Sequence, residues 1–150
     1  MATLEQEIKQ SKFDNELLKA NINVLFTANF LYNKITGYLK PYAVTHEQFN
    51  VLRILNGSFP KCMCQKEILS RMIAPNSNLT LIIKKLVSKN LIQVIHSTTD
   101  KREYQINITE AGIALLQEIE IVFKQNEFKI NNLSVSESFH LNALLDKMRD

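Results

Sequence analysis

The sequence predicts a mainly α-helical chain interrupted once by a small β-hairpin. Three observations predict it. Apolar residues recur at helical spacing over most of the length. Gly and Pro, which break helices, are scarce at three each in 150 residues. Only between residues 91 and 108 does the pattern change to two short runs rich in β-branched residues around a polar tip. The length favours a single domain, 45% hydrophobic residues suffice for a core, and 22% charge argues against disorder.

Residues 3–39 read as one long helix, broken at most once. Phe13, Leu17, Ala20, Val24, Leu31 and Ile35 form a stripe that Ile8, Ile22, Leu25, Phe26 and Phe30 widen. So broad an apolar arc buries more than one face. Part of it is expected to meet a second copy of the chain in a homodimer. Pro41 stops the helix.

Thr45 is an N-cap candidate, Gln48 completes a capping box, and Val44 and Phe49 stand in staple register. The helix they open runs to about Asn56 with Phe49, Leu52 and Leu55 inward. After a turn at Gly57–Pro60, a third helix starts near Cys64 with Glu67 at N3. Its core side is Ile68, Leu69 and Met72. Ala74-Pro75-Asn76 breaks it and leads into a fourth. There Leu79, Ile82, Ile83 and Leu86 share one face, and Thr80, Leu81, Lys84, Lys85 and Ser88 fall largely on the other. It ends at Lys89-Asn90, since Asn tolerates the left-handed conformation that follows a helix.

Strands are expected at 91–96 and 103–108. Tyr104, Ile106 and Ile108 fall on one side of the second, and Glu103, Gln105 and Asn107 on the other. Thr109 caps the next helix, with Ile108 and Ile113 in staple register. That helix carries Leu115, Leu116, Ile119, Val122 and Phe123 toward Ile130. A capping box of Ser134 and Glu137 opens the last helix, with Phe139, Leu141, Leu144, Leu145 and Met148.

Two short helices, a brief turn and a hairpin make a winged helix-turn-helix with a wing of two to three strands, over residues 44–109. The terminal helices, 1–40 and 110–150, flank it.

Charge is distributed unevenly. Residues 60–102 carry eight Lys/Arg against two Asp/Glu, whereas residues 103–150 carry four against eight. No acid occurs from Arg71 to Thr99. A cationic helix face within a basic middle segment is the footprint of a polyanion partner, here double-stranded DNA.

Three stretches then resemble the MarR family of bacterial transcription regulators. VTHEQFNVLRIL matches the helix before the family's DNA-reading motif, and NLTLIIKKLVSKNLI matches its recognition helix and the next strand. TDKREYQINITEAG matches its wing, with an Asp-Arg-Arg tip and a Leu-Thr-x-x-Gly ending. Asn90 stands where the family usually has Gly, and Leu81 where it often has a polar or basic residue. The resemblance implies a winged-helix homodimer whose terminal helices, here 1–40 and 110–150, form the dimerisation region and whose wings grip DNA.

On this reading Ser77, Asn78 and Thr80 bond base edges or phosphates, or else cap the helix, a role open to Asn76 or Ser77. Lys84 and Lys85 meet phosphates as point charges. Leu81 either touches a thymine methyl or is a plain surface leucine. In the wing, Arg102 enters the minor groove, where negative potential is concentrated, and Lys101 meets phosphate. The resemblance implies that Asp100 pairs with Arg102 and fixes the wing. Phe26, Phe30, His46 and Phe49 are candidate walls for a small-molecule effector, with core packing the alternative for the apolar ones.

The expected function is therefore a sequence-specific dimeric regulator, most simply a repressor, on a pseudo-palindromic operator. The alternatives are a redox-responsive regulator acting through Cys62 or Cys64, and a winged helix that binds protein. Catalysis has no support: there is no His-Glu-x-x-His, phosphate-binding glycine loop or nucleophile elbow. No cofactor or metal is expected, because Cys62 and Cys64 lack a second Cys pair. The absence of a long apolar run and of a signal-peptide core makes a cytoplasmic location the expectation.

Overall fold

The computed structural model describes residues 2–10, 12–74, 78–96, 104–125 and 133–150. The element order is α1 (Leu4–Ile8), α2 (Glu16–Leu39), α3 (His46–Asn56), α4 (Gln65–Arg71), α5 (Leu79–Ser88), β1 (Ile92–His96), β2 (Tyr104–Ile108), α6 (Glu110–Gln125) and α7 (Val135–Lys147). This is the mainly helical winged fold that the sequence implies.

The expected first helix breaks once. Lys9 takes the left-handed conformation after α1, and Asn15 restarts the chain by accepting the Leu18 N–H at 2.7 Å. Asn in this place competes with a continuous helix by bonding the backbone itself. Leu4 is buried, and Glu5 and Lys19 form a 2.7 Å ion pair from α1 to α2. That pair draws the Glu5 carboxyl below its usual range and raises the Lys19 ammonium.

A short 3-10 turn, Lys40–Tyr42, with Pro41 in its first positions, ends α2 and leads to Ala43 in the left-handed region. The capping box at Thr45 and Gln48 is formed, and the staple residues Val44 and Phe49 are both buried. In α4, Ile68 is buried, as is Met72 just after it, but Leu69 is 37% exposed. The helix is only seven residues long, so its inward arc is narrower than the sequence pattern suggested.

The wing is an antiparallel pair, Ile92 opposite Ile108 through His96 opposite Tyr104. Met63 exchanges two 2.9 Å backbone bonds with Ile106, so the segment before α4 supplies a third, one-residue strand. Asn107 departs from the expected alternation. It is 8% exposed, its side-chain Nδ2 donates to the Pro60 carbonyl at 3.4 Å, and its Oδ1 accepts the Ile108 N–H at 2.9 Å. A strand pattern cannot register the backbone that approaches that side.

One core joins α3, α4, α5, both strands and α6, with Val51, Leu52, Leu55, Ile68, Leu86, Ile106, Leu116 and Ile119 at most 1% exposed. The outer helices contrast with it. Of the 24 residues in α2 only Leu39 is buried, and α7 buries none.

Candidate nucleic-acid interface

Helix α5 is seated by Leu79, Ile82, Ile83 and Leu86, all buried. It starts later than the sequence suggested: Asn78, not Asn76 or Ser77, is the N-cap, and its carbonyl accepts the Leu81 and Ile82 N–H groups. Ser77 lies outside the described residues. Thr80, Leu81, Lys84 and Lys85 are exposed together on the outer face. Neither Lys84 nor Lys85 has a carboxylate partner among the described residues. Leu81 is 43% exposed and Val87 42%, so this face is cationic with apolar points rather than uniformly polar.

The end of α5 is fixed with particular care. The Leu91 N–H donates to the Leu86 carbonyl at 3.0 Å and the Asn90 N–H to the Val87 carbonyl at 2.8 Å. With Asn90 at φ 57° this is a Schellman ending, in which Asn takes the place that Gly usually holds. Thr109 Oγ1 donates to the Asn90 carbonyl at 2.8 Å and accepts the Gly112 N–H at 3.1 Å. The Thr109 N–H reaches the Leu91 carbonyl at 3.1 Å. The cap of α6 thereby holds the turn after α5.

The wing tip, including Asp100, Lys101, Arg102 and Glu103, lies outside the described residues, as does the expected extension of α6 to Ile130. Exposed Val94, Ile95 and Tyr104 lead up to the tip.

A cavity of about 430 Å³ opens between α2, α3, the end of α4 and α6. His46 and Phe49 line it, with Tyr32, Ile35, Arg53 and Phe123. Phe26 and Phe30 do not line it; Phe30 is half exposed on the outer part of α2. The His46 ring stacks on Tyr32, with centroids 3.9 Å apart and planes 10° apart. Its Nε2 lies 2.9 Å from both the Tyr32 carbonyl and Thr36 Oγ1. Phe49 and Phe123 meet edge to face at 5.5 Å, and the Arg53 guanidinium lies over the Phe49 ring at 5.9 Å. Sequence reasoning did not single out Tyr32, Arg53 or Phe123 for this site. They come from three separate helices, and no local spacing joins them.

Comparison with known proteins bears on what this arrangement is. The MarR family model matches residues 44–104. The HTH-type transcriptional regulator SarZ of Staphylococcus aureus is 30% identical over 130 residues, which cover 83% of this chain and 85% of SarZ. The chain belongs to the MarR family. Its fold is also that of solved relatives. A mutant Escherichia coli MarR complexed with operator DNA superposes with a TM-score of 0.79 at 24% identity, covering 92% of this chain and 99% of that one. Bordetella bronchiseptica BpsR, whose DNA binding is regulated by 6-hydroxynicotinic acid, gives 0.76 at 20% identity, covering 88% and 99%.

MarR-family proteins are transcription regulators that bind DNA, and this chain carries the family's winged helix with its cationic helix outward. No group of three or more His, Cys, Asp or Glu poised for a metal occurs among the described residues. Among them, too, no helix is long and apolar enough to cross a membrane.

Proposed function

We propose that this MarR-family chain is a cytoplasmic, homodimeric, sequence-specific repressor that reads a pseudo-palindromic operator and is released by a small molecule. The observation that carries the DNA reading is the outer face of α5. Thr80, Leu81, Lys84 and Lys85 project from a buried seat, and no carboxylate faces the two lysines among the described residues. Thr80 and Leu81 in the first turn face base edges, with Asn78 at the cap, while Lys84 and Lys85 meet phosphates. Ser77, Lys101 and Arg102 are assigned to the same surface and Asp100 to holding the wing, on the resemblance alone.

The dimer is supported by the apolar surface left open on the outer helices. Leu17 is 81% exposed, Leu25 71%, Phe139 73% and Leu144 61%. Monomeric proteins seldom leave so many large apolar side chains uncovered.

The release step is supported by the cavity. Its walls are aromatic and apolar, with His46, Glu47, Asn50 and Arg53 as the few polar groups, a composition suited to a small aromatic molecule with polar substituents. It lies between α2 and the DNA-binding lobe, so a ligand that favours one spacing of the two shifts the dimer between states.

The test is selection of bound duplexes from a random pool. The expected result is a two-fold symmetric motif with half-sites about 10–10.5 bp apart. A single asymmetric motif, or binding that does not weaken as salt rises, removes the proposal.

A further inference from the structure

The geometry points to Lys89 as a positioning residue: it ties the end of the recognition helix to the start of α3, and does not contact DNA. The inference rests on the reading of α5 as the helix that enters the groove.

Lys89 is the C-cap residue of α5. It is exposed, like Lys84 and Lys85, and follows the buried Leu86 by three residues; what distinguishes it is where its ammonium goes. Its ammonium donates to the Ala43 carbonyl and lies 3.4 Å from Gln48 Oε1. Both partners belong to the junction where α2 gives way to α3. Ala43 holds φ 52°, a conformation that costs a non-glycine residue about 1 kcal/mol or more. Gln48 is 3% exposed, and the same Oε1 accepts the Thr45 N–H at 3.3 Å in the capping box. The lysine charge thus meets a carbonyl and a buried amide oxygen across 46 and 41 residues of chain.

That junction is also tied to the cavity. His46, the first residue of α3, is stacked on Tyr32 and bonded within α2, one residue beyond Thr45. The contacts run from Tyr32 and Thr36 on α2, through His46 and the Thr45–Gln48 box, to Lys89 and the last turn of α5. A displacement of α2 relative to α3 is therefore delivered to the C-terminal end of the recognition helix. A cation used in this way is subtracted from the DNA-facing charge, which leaves Lys84 and Lys85 as the phosphate contacts of this helix.

Full-length wild type, Lys89→Met, Lys89→Arg, Lys84→Met, Gln48→Met and the Lys89→Met/Gln48→Met double variant are titrated against one selected operator. Salt is varied from about 50 to 300 mM, with thermal unfolding as the fold control. Lys89→Met is expected to weaken binding about tenfold at every salt concentration with the log–log salt slope unchanged. Lys84→Met lowers that slope by about 2 per dimer, since each lost phosphate contact removes about 0.9. Lys89→Arg regains most of the affinity. Lys89→Met and Gln48→Met are non-additive, because they cut one network. A slope that falls in Lys89→Met as it does in Lys84→Met makes Lys89 a DNA contact and overturns the inference, while leaving the proposed function standing. Wild-type affinity in Lys89→Met overturns it too. A wild-type chain with no salt-dependent duplex binding shows the other failure, that of the underlying reading.

Discussion

Gly112→Ala has a sign opposite to the one that helix propensity gives. Gly112 is the third residue of α6, where replacing Gly by Ala ordinarily stabilises by about 1 kcal/mol. Here a Cβ would lie 2.2 Å from the Leu91 carbonyl oxygen and 2.7 Å from Ile108 Cγ1. Ordinary contact begins near 3.4 Å, so the Leu91 backbone must retreat by about 1.2 Å. That carbonyl accepts the Thr109 N–H, and its neighbour Asn90 is held by Thr109 Oγ1. Overpacking costs about 1–3 kcal/mol and one weakened hydrogen bond about 1 kcal/mol. After the propensity gain, the net loss is about 1–3 kcal/mol. The control is Gly37→Ala in α2, where nothing lies within 4 Å and the helix gains about 0.5–1 kcal/mol. Urea unfolding at matched protein concentration measures both. A Gly112→Ala chain as stable as wild type would refute the reasoning, because the α6 cap would then not be pressed against the turn that ends α5.

On the proposed assignment, Lys84→Ala combined with Lys85→Ala would remove four phosphate contacts per dimer. The salt slope should fall by about 3–4 with the selected sequence unchanged, as measured by titration over a salt range. Leu25→Asp, at a 71% exposed site, should leave the protomer's fold and convert the dimer to a monomer by light scattering; a persistent dimer places the interface elsewhere. The Glu137 carboxylate is held below its usual range, first by the Ser134 backbone N–H and then by the Ser134 side chain. A depressed folded value means that its stabilisation is present above the unfolded value and is lost as pH falls through the folded one. Helicity followed from neutral pH to below the usual value of 4.5 should therefore show an acid loss that Glu137→Gln reduces. Glu67, bonded to the Cys64 N–H, behaves with the same sign.

What the sequence made legible was local. Thr45 with Gln48 and Ser134 with Glu137 are capping boxes three residues apart, and both are formed. The Leu79-Ile82-Ile83-Leu86 face repeats within one helix and is buried as a unit. What it hid depends on chain that returns from afar. Asn107 is buried because Pro60 arrives beside it, 47 residues away in sequence. The cavity joins Tyr32, Arg53 and Phe123 from α2, α3 and α6, and each read alone is an ordinary helix residue. Lys89 looked like one more cation on a basic helix, because charge counting does not see the Ala43 carbonyl. Phe26 and Phe30 share Tyr32's helix but stand farther from its junction with α3, outside the cavity.

The outer helices give the strongest physical reason for a second copy. An isolated helix shorter than about 12–15 residues is marginal in water even with favourable sequence. Helix α7 has 13 residues and buries none of them, although its Ser134–Glu137 box is fully formed. A cap contributes about 1 kcal/mol, too little to hold such a helix alone. Phe139, Leu141, Leu144 and Met148 are exposed, and covering one such side chain is worth about 1.5–3 kcal/mol. Helix α2 presents a matching excess in Leu17, Leu25 and Phe30. In the proposed dimer, pairing these faces between two chains would supply the packing that α7 lacks. It would also make the separation of the two α5 helices depend on how α2 sits, and α2 is the helix whose Tyr32 forms the cavity wall beside His46.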